Sequence, residues 1–224
     1  MTIILPLLKV QLATNKKYFM KKSILTFWCV LMASVQLFAF EGVIKLKMEN
    51  KELNEIATVE WYIKGGSHAM YFNSQMEDGA YAYKMIIKEG KSEMIMVSEV
   101  EGETNITRIP LSALNAEHGG WALAEISKTG KTLEMAGKEA QNYRIKSSEA
   151  IANCWIADIE ELKDINLPVV FSSGGLLMLL ENNNISGFPM KLEVYDANAQ
   201  RLYYQEITSI ENKEVSVSKF ATPR

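Results

Sequence analysis

The chain has 224 residues, of which 48% are hydrophobic and 23% are charged, so it can build one domain with a sizeable core. Its 24 basic and 27 acidic residues give a net charge of −3. A protein of this sign lacks the clustered cations that bind phosphate, which argues against a nucleic-acid partner. Lysine and glutamate are interspersed along the chain, as is typical of a solvated surface.

The first 39 residues have the pattern of a secretory signal peptide. A basic stretch precedes an uncharged run from Ile24 to Phe40. A basic head, an apolar middle and a small residue before a polar start are the parts of such a signal. We predict cleavage after Ala39, and Met20 is an alternative start of the same signal. The remaining chain, residues 40–224, has 19 basic and 27 acidic residues and is predicted to be periplasmic or secreted, without a permanent membrane anchor.

An uncleaved anchor helix is the alternative interpretation of this segment. The uncharged run is about 17 residues long, which is near the short limit for spanning a bilayer core of about 30 Å. Cys29 is not typical of a lipid-modified cysteine, because it follows Trp28 and another apolar stretch comes after it. Cys154 is then the single cysteine of the exported chain, so an internal disulfide is excluded. Its apolar neighbours predict that it is buried.

Period-two alternation dominates the first half of the exported chain and predicts consecutive antiparallel strands. The segment "GVIKLKMEN" places Ile44, Leu46 and Met48 on one face. In "EIATVEWYIKGG" the apolar residues alternate with polar ones, and Gly65-Gly66 then supplies the positive φ values of a tight hairpin. The segments "SHAMYFN", "AYAYKMIIKEGK", "SEMIMVSEV" and "GETNITRIP" continue the pattern.

The second half adds strands and one helical insertion. The segment "PLSALNAEHGG" predicts a short helical turn, and "TLEMAGKEAQNYRIKSSEAIANCWIADI" predicts two or three strands. Residues 162–183 lose the alternation and contain the unbroken apolar block Leu176–Leu180, which predicts a helix. The tail alternates again, with turns at Asp196–Ala199 and Glu211–Lys213 and a last strand in "EVSVSKF". The sequence therefore predicts a mainly β (α+β) fold, a strongly curved antiparallel sheet or half-barrel of about ten strands with a short helical lid.

An apolar face on such a sheet predicts a cavity for a hydrophobic ligand, closed by the helical lid. Methionine side chains adapt to a flexible acyl chain, although they also fill gaps in closed cores. The lid, with Gly174-Gly175 as a hinge, is equally compatible with a permanent plug. The predicted ligand-binding residues are Trp61, Met70, Phe72, Met85, Met94 and Met96 on the sheet, and Val169, Phe171, Leu176, Leu177 and Leu180 in the lid.

The sequence carries no recognisable catalytic or metal-binding pattern. His68 and His118 each lack neighbouring residues at metal-ligand spacing, and neither belongs to a Ser/His/Asp arrangement. The acidic run from Asp158 to Asp164 lacks the alternating oxygen ligands of a calcium loop. We therefore predict a non-enzymatic protein without a metal or a cofactor.

Several segments together resemble a known family. They are "FEGVIKLKM", "WYIKGGSHAMYF", "EMAGKEAQNYRIKS" followed by "CWIADI", and the tail from "GFPMKLEVYDANAQ" to "FATP". Their order resembles a family of exported, Bacteroidota-type proteins known as a domain of unknown function, which is similar in fold to the outer-membrane lipoprotein carrier LolA. The resemblance spans residues 40–223 and implies a half-barrel around apolar space. Many relatives carry a cysteine near Tyr143, and this chain has none there.

Two functions follow as hypotheses. The first is a periplasmic binding or carrier protein for a hydrophobic ligand, such as a lipid or a lipidated protein. The second is an envelope scaffold or interaction protein whose core is filled and which has no small-molecule ligand.

Overall fold

A computed structural model describes residues 40–77, 79–100, 102–114, 121, 123–163, 165 and 176–223. The predicted signal peptide lies outside the described residues, as do His118, Val169, Phe171 and the Gly174-Gly175 pair. The side chain of Leu177 is also outside the described part.

The described chain forms one antiparallel sheet of eleven strands, which confirms the predicted fold class and adds one strand to the expected ten. The sheet order is β6-β5-β4-β3-β2-β1-β11-β10-β9-β8-β7, so the two edge strands are β6 and β7. The strands are β1 Gly42–Asn50, β2 Glu55–Lys64, β3 Ser67–Met76, β4 Gly79–Ile87, β5 Glu93–Val100, β6 Glu103–Pro110, β7 Glu125–Met135, β8 Lys138–Lys146, β9 Ala150–Ala157, β10 Phe188–Asp196 and β11 Arg201–Asn212.

Local turn chemistry sets the hairpins at the predicted places. Gly65 and Gly66 have φ values of +52° and +74°, which suit glycine between β2 and β3. Between β10 and β11, the Oδ1 atom of Asp196 accepts hydrogen bonds from the backbone N–H groups of Asn198 (2.9 Å) and Gln200 (2.7 Å). This side chain replaces missing backbone partners in the turn, as aspartate commonly does.

The strand register aligns apolar side chains into a row across five strands. Ile44 pairs with Trp61, Trp61 with Met70, Met70 with Met85, and Met85 with Met96. Because side chains alternate between faces along a strand, all five lie on one face of the sheet. We call this face the inner face.

The sheet bends towards its inner face. Strands β2 and β10 are separated by β1 and β11, so their side chains would lie about 14 Å apart in a flat sheet. The ring centroids of Trp61 on β2 and Phe188 on β10 are nevertheless only 6.2 Å apart, with the rings stacked. Both residues belong to one buried cluster that also contains Met135 and Ala140 from the far end of the sheet. The inner face is therefore concave.

The last predicted strand is wrong. Strand β11 ends at Asn212, and the chain then crosses the opposite, outer face as an irregular segment with a short 3₁₀ turn, Val217–Phe220. We call residues 213–223 the strap. Strand β11 already pairs with β1 and β10, so it has no free edge for a following hairpin strand. Val215 and Phe220 instead pack into a cluster with Val43, Ala69, Ile86 and Ile95 on the outer face.

Polar contacts fix the strap to the strands below it. The carboxylate of Glu41 accepts hydrogen bonds from Lys64 Nζ (2.8 Å) and from the backbone N–H of Val215 (2.7 Å). The Tyr71 hydroxyl donates to the carbonyl of Lys219 at 3.0 Å. These contacts involve backbone atoms of the strap, so they fix the position of its backbone on the outer face.

Two short α-helices complete the described fold: α1, Leu111–Leu114, and α2, Leu176–Asn182. The first confirms the predicted turn after β6. The second lies within the predicted helical insertion. A 3₁₀ turn, Glu160–Leu162, lies just before this insertion and overlaps it only at Leu162. Across the described ranges, neither helix is long and apolar enough to span a membrane.

Candidate functional site on the inner face

Four of the six predicted ligand-binding residues of the sheet are buried within the protein. Trp61, Met70, Phe72 and Met94 have exposed fractions of 5% or less. Three of them belong to the large cluster of the inner face, which includes side chains from β1, β2, β3, β10 and β11. The inner face is thus closed over β1, β2 and β3.

A buried hydrogen bond fixes the centre of this closed part. The indole Nε1–H of Trp61 donates to Nδ1 of His68 at 3.2 Å, and both side chains are buried. Burial lowers the pKa of His68 to about 4, because a charged imidazolium would lose its hydration there. Nδ1 can accept this hydrogen bond only in the neutral ring, so His68 is a neutral core residue and not a metal ligand.

The inner face becomes accessible towards β4 and β5. In the row that starts at Ile44, Trp61 and Met70 are buried, whereas Met85 and Met96 are half-buried. Tyr83 and Ile87, which flank Met85 on the same face of β4, are half-buried as well. We call the inner-face surface formed by Tyr83, Met85, Ile87 and Met96 the hollow. The structure therefore places Met85 and Met96 in a different environment from the other four predicted residues of the sheet.

Backbone pairing explains where the hollow begins. Strand β3 pairs with β4 along its whole length, from His68–Ile87 to Met76–Gly79. Between described residues, β5 pairs with β4 from Ile87–Met94 to Tyr83–Ser98. Met85 and Met96 pair with each other within this stretch, and Tyr83 and Ile87 lie at its two ends. The hollow therefore coincides with the stretch in which β4 and β5 are paired.

Polar side chains occupy the end of the inner face next to the β1–β2 turn. The Ser74 hydroxyl donates to the Glu55 carboxylate at 2.6 Å, and the Tyr203 hydroxyl donates to Gln205 Oε1 at 2.9 Å. Ser74 and Gln205 are buried, with exposed fractions of 5% and 4%. We call Glu55, Ser74, Tyr203 and Gln205, together with the Tyr83 hydroxyl, the polar end.

Strand register brings this set together. Asn50 at the end of β1 pairs with Glu55 on one side and with Tyr203 on the other. Gln205 and Ser74 lie in the next row, where Met48 and Ala57 stand between them. These residues were not among the predicted binding residues. Their only signal was a polar residue at an inward position of an alternating strand, as with Ser74 two residues after Phe72.

The tyrosines of the polar end are held neutral. Burial, followed by the nearby negative charge of Glu55, raises the pKa of Tyr83 to about 12. Burial also raises the pKa of Tyr203, and the charges of Glu55 and Tyr83 add to this. The ring of Tyr83 stacks on Phe72 with centroids 4.5 Å apart and an interplanar angle of 7°. The phenol ring therefore packs flat against Phe72 at the border of the hollow.

The predicted lid packs on another part of the sheet. Leu176 and Leu180 of helix α2 are buried with Ile145, Cys154 and Leu192, which come from β8, β9 and β10. This cluster is separate from the one that contains Trp61. Helix α2 therefore covers the sheet as predicted, but over β8 to β10, while Ile159, Leu162 and Ile165 pack against the Trp61 cluster.

Cysteine and metal chemistry find no support in the described residues. Cys154 is a free, fully buried thiol, and burial raises its pKa to about 12. Such a thiol is protonated at neutral pH and unreactive. No group of three or more His, Cys, Asp or Glu side chains in the described ranges is arranged to hold a metal ion.

Comparison with known proteins gives one family and distant fold likenesses. Residues 40–224 match the family described as "Domain of unknown function (DUF4412)". No curated protein matches the sequence. A chain in the structure of the Pseudomonas aeruginosa MucA/MucB complex has a TM-score of 0.44 and 10% identity, with 82% of this chain and 55% of that chain covered. A structure of MucB has a TM-score of 0.38 and 11% identity, covering 83% and 58%. The present chain spans little more than half the length of either.

Proposed function

The chain belongs to the DUF4412 family, and we propose that it is a non-enzymatic binding protein whose inner face holds the apolar part of a ligand. The ligand is a lipid or the acyl chain of a lipidated protein. The proposal includes export through the N-terminal signal to the periplasm or the medium, an origin in Bacteroidota and a relation to LolA.

The observation that carries the proposal is the hollow. Four apolar side chains lie half-buried beside a closed core, on the concave face of the sheet. Covering apolar surface contributes about 25 cal/mol for each Å² removed from water. Two of the four are methionines, whose unbranched side chains adjust to ligands of different shape. A flexible hydrocarbon chain is the ligand that suits such a surface.

Ligand content and dye binding test the proposal. Protein purified from its native envelope is examined by native mass spectrometry and by lipid extraction, and then titrated with the apolar dye 1-N-phenylnaphthylamine. We expect a bound apolar molecule that the dye displaces. Absence of any bound molecule together with absence of dye binding would refute the proposal.

A matched pair of variants places the dye. Met96 and Val97 are neighbours on β5, both half-buried, but they point to the inner and the outer face. We expect Met96→Ser to weaken dye binding about fivefold to tenfold, since about 1–1.4 kcal/mol of apolar contact is lost. Val97→Ser should leave binding unchanged. Equal effects of the two substitutions would exclude the hollow as the dye site.

The closed centre favours a second candidate function, an envelope interaction protein with a filled core. Trp61 is 1% exposed, donates to His68 and stacks on Phe188, so this part of the inner face already has its partners. Crosslinking in intact cells distinguishes the two functions. Recovery of a protein partner, with no lipid in the purified protein, would support the interaction protein over the carrier.

A further inference from the structure

The polar end gives the inner face a chemical preference that the apolar hollow does not have. The two surfaces join at Tyr83, whose ring borders Met85 on the same face of β4 and whose hydroxyl is close enough to Glu55 and Tyr203 to interact electrostatically with both. Residues two apart on a strand are separated by about 7 Å. A ligand chain that lies in the hollow therefore brings its end group within reach of the polar end.

The charge at the polar end is a single carboxylate. Glu55 accepts a hydrogen bond from Ser74 and, among the described residues, forms no ion pair with a lysine or an arginine. A half-buried carboxylate beside apolar side chains is stabilised by an opposite charge close to it. The protein offers that charge from none of the described side chains around Glu55. A cationic end group is therefore favoured over an anionic one.

The remaining groups are hydrogen-bond acceptors. The Tyr203 hydroxyl already donates its proton to Gln205, so its oxygen can still accept. The Tyr83 hydroxyl makes no hydrogen bond with another described residue, and its ring stacks on Phe72. An ammonium group has three donors and no acceptor, which matches one carboxylate and two phenol oxygens.

We propose that the polar end, Glu55 with the hydroxyls of Tyr83 and Tyr203, binds the protonated amine of an amphipathic ligand whose apolar chain lies in the hollow. This inference rests on the proposed binding function and specifies its ligand class. The amine of a lipid head group and the free amino terminus of a lipidated polypeptide share this chemistry.

Probes with one chain length and different end groups test the inference. Dodecylamine, dodecyltrimethylammonium and dodecanoate compete with 1-N-phenylnaphthylamine for the full-length protein at pH 7. We expect dodecylamine to bind at least about tenfold more tightly than dodecanoate, the size of effect expected for a hydrogen bond to a charged group. Dodecyltrimethylammonium should bind with an intermediate affinity, because it carries the positive charge of the amine but has no N–H donors. Equal binding of the amine and the carboxylate would overturn the inference.

Two substitutions and a control locate the preference. Glu55→Gln should remove most of the preference for the amine, and Tyr83→Phe should reduce it severalfold while keeping the stack on Phe72. Glu52→Gln removes the same charge from the exposed turn three residues earlier and should leave the preference intact. If Glu55→Gln does not fold, Tyr83→Phe alone decides. A preference that survives in the folded variants would overturn the assignment.

The same assay separates failure of this inference from failure of the proposed function. If all three probes bind equally, the hollow binds apolar chains and only the polar end is wrongly assigned. If none of them binds and no dye is displaced, the proposed function itself is wrong, and this inference with it. Lysophosphatidylethanolamine and a lipopeptide with a free amino terminus are then tested separately. The ligand whose binding is weakened by Glu55→Gln identifies the source of the amine.

Discussion

The buried pair of Trp61 and His68 makes the stability of the protein depend on pH. The imidazole is neutral in the folded state, with a pKa of about 4, whereas the unfolded chain has the ordinary value of about 6.5. Between these values the unfolded state binds a proton that the folded state does not. The free energy of unfolding therefore falls as the pH is lowered through this window and is fully recovered above it.

The size of the effect follows from the two pKa values. Between pH 7.5 and pH 4.5, the linkage relation gives a loss of about 2 to 3 kcal/mol from this one group. His68→Gln removes the titration and keeps an oxygen that can accept from the Trp61 indole. We expect the variant to be less stable than the wild type at pH 7.5 and to lose about 2 to 3 kcal/mol less on acidification.

Urea unfolding followed by tryptophan fluorescence measures both proteins at the two pH values. Acidic groups such as Glu211, whose hydrogen bonds with Lys213 and Lys45 lower its pKa to about 2, also titrate with pH. They are common to both proteins, so the difference between wild type and variant isolates His68. A difference in the free energy of unfolding that is the same at pH 7.5 and pH 4.5 would refute the reasoning.

Three further predictions concern the strap, the thiol and one close contact. In urea unfolding, Phe220→Ala should lower the free energy of unfolding by about 3 kcal/mol, since this side chain is only 9% exposed. The control Val217→Ala, at a position that is 73% exposed, should change it by less than about 0.5 kcal/mol. Similar losses in the two variants would show that the strap does not pack as described. Cys154 should react with iodoacetamide at pH 8 only after unfolding, as peptide mass mapping would show, and rapid labelling of the folded protein would contradict its burial. Gly187→Ala should destabilise the protein more than Gly137→Ala. Both glycines have positive φ values, but only at Gly187 would an added Cβ lie 2.7 Å from a methyl group of Ile156. Thermal melts that rank the two variants in the opposite order would contradict this contact.

Most of the sheet could be predicted because its strands carry their own signal. Alternation places Ile44, Leu46 and Trp61 inward, and glycine or aspartate marks the hairpins at Gly65-Gly66 and Asp196. These features act between residues close in sequence. The strap was not predictable in this way, because Val215 and Val217 alternate with serines as they would in a strand, whereas in the structure Val215 and Phe220 pack together on the outer face. Only the pairing of β11 on both sides decides between these outcomes.

The candidate site divides into a predictable and an unpredictable part for a similar reason. The methionines were recognised as one apolar set, and the register confirms that Met70, Met85 and Met96 are aligned. Their burial depends on how far the sheet bends and which strands stay paired, which local sequence does not encode. The polar end joins Glu55 with Tyr203, and only the assembled order β2-β1-β11 brings these distant residues together.

The sheet topology places the hollow beside the polar end. Tyr83, Met85 and Ile87 alternate along β4, and Met85 pairs with Met96 on β5, so the half-buried apolar side chains lie on two neighbouring strands. The β1–β2 turn lies at the end of the sheet where β4 begins, because Ile56 pairs with Gln75 and Gly79 pairs with Met76 at the end of β3. The apolar surface and the carboxylate of Glu55 are therefore placed together by topology. A ligand with a chain and an amine would use both, whereas a closed core would not need a carboxylate inside the concave face.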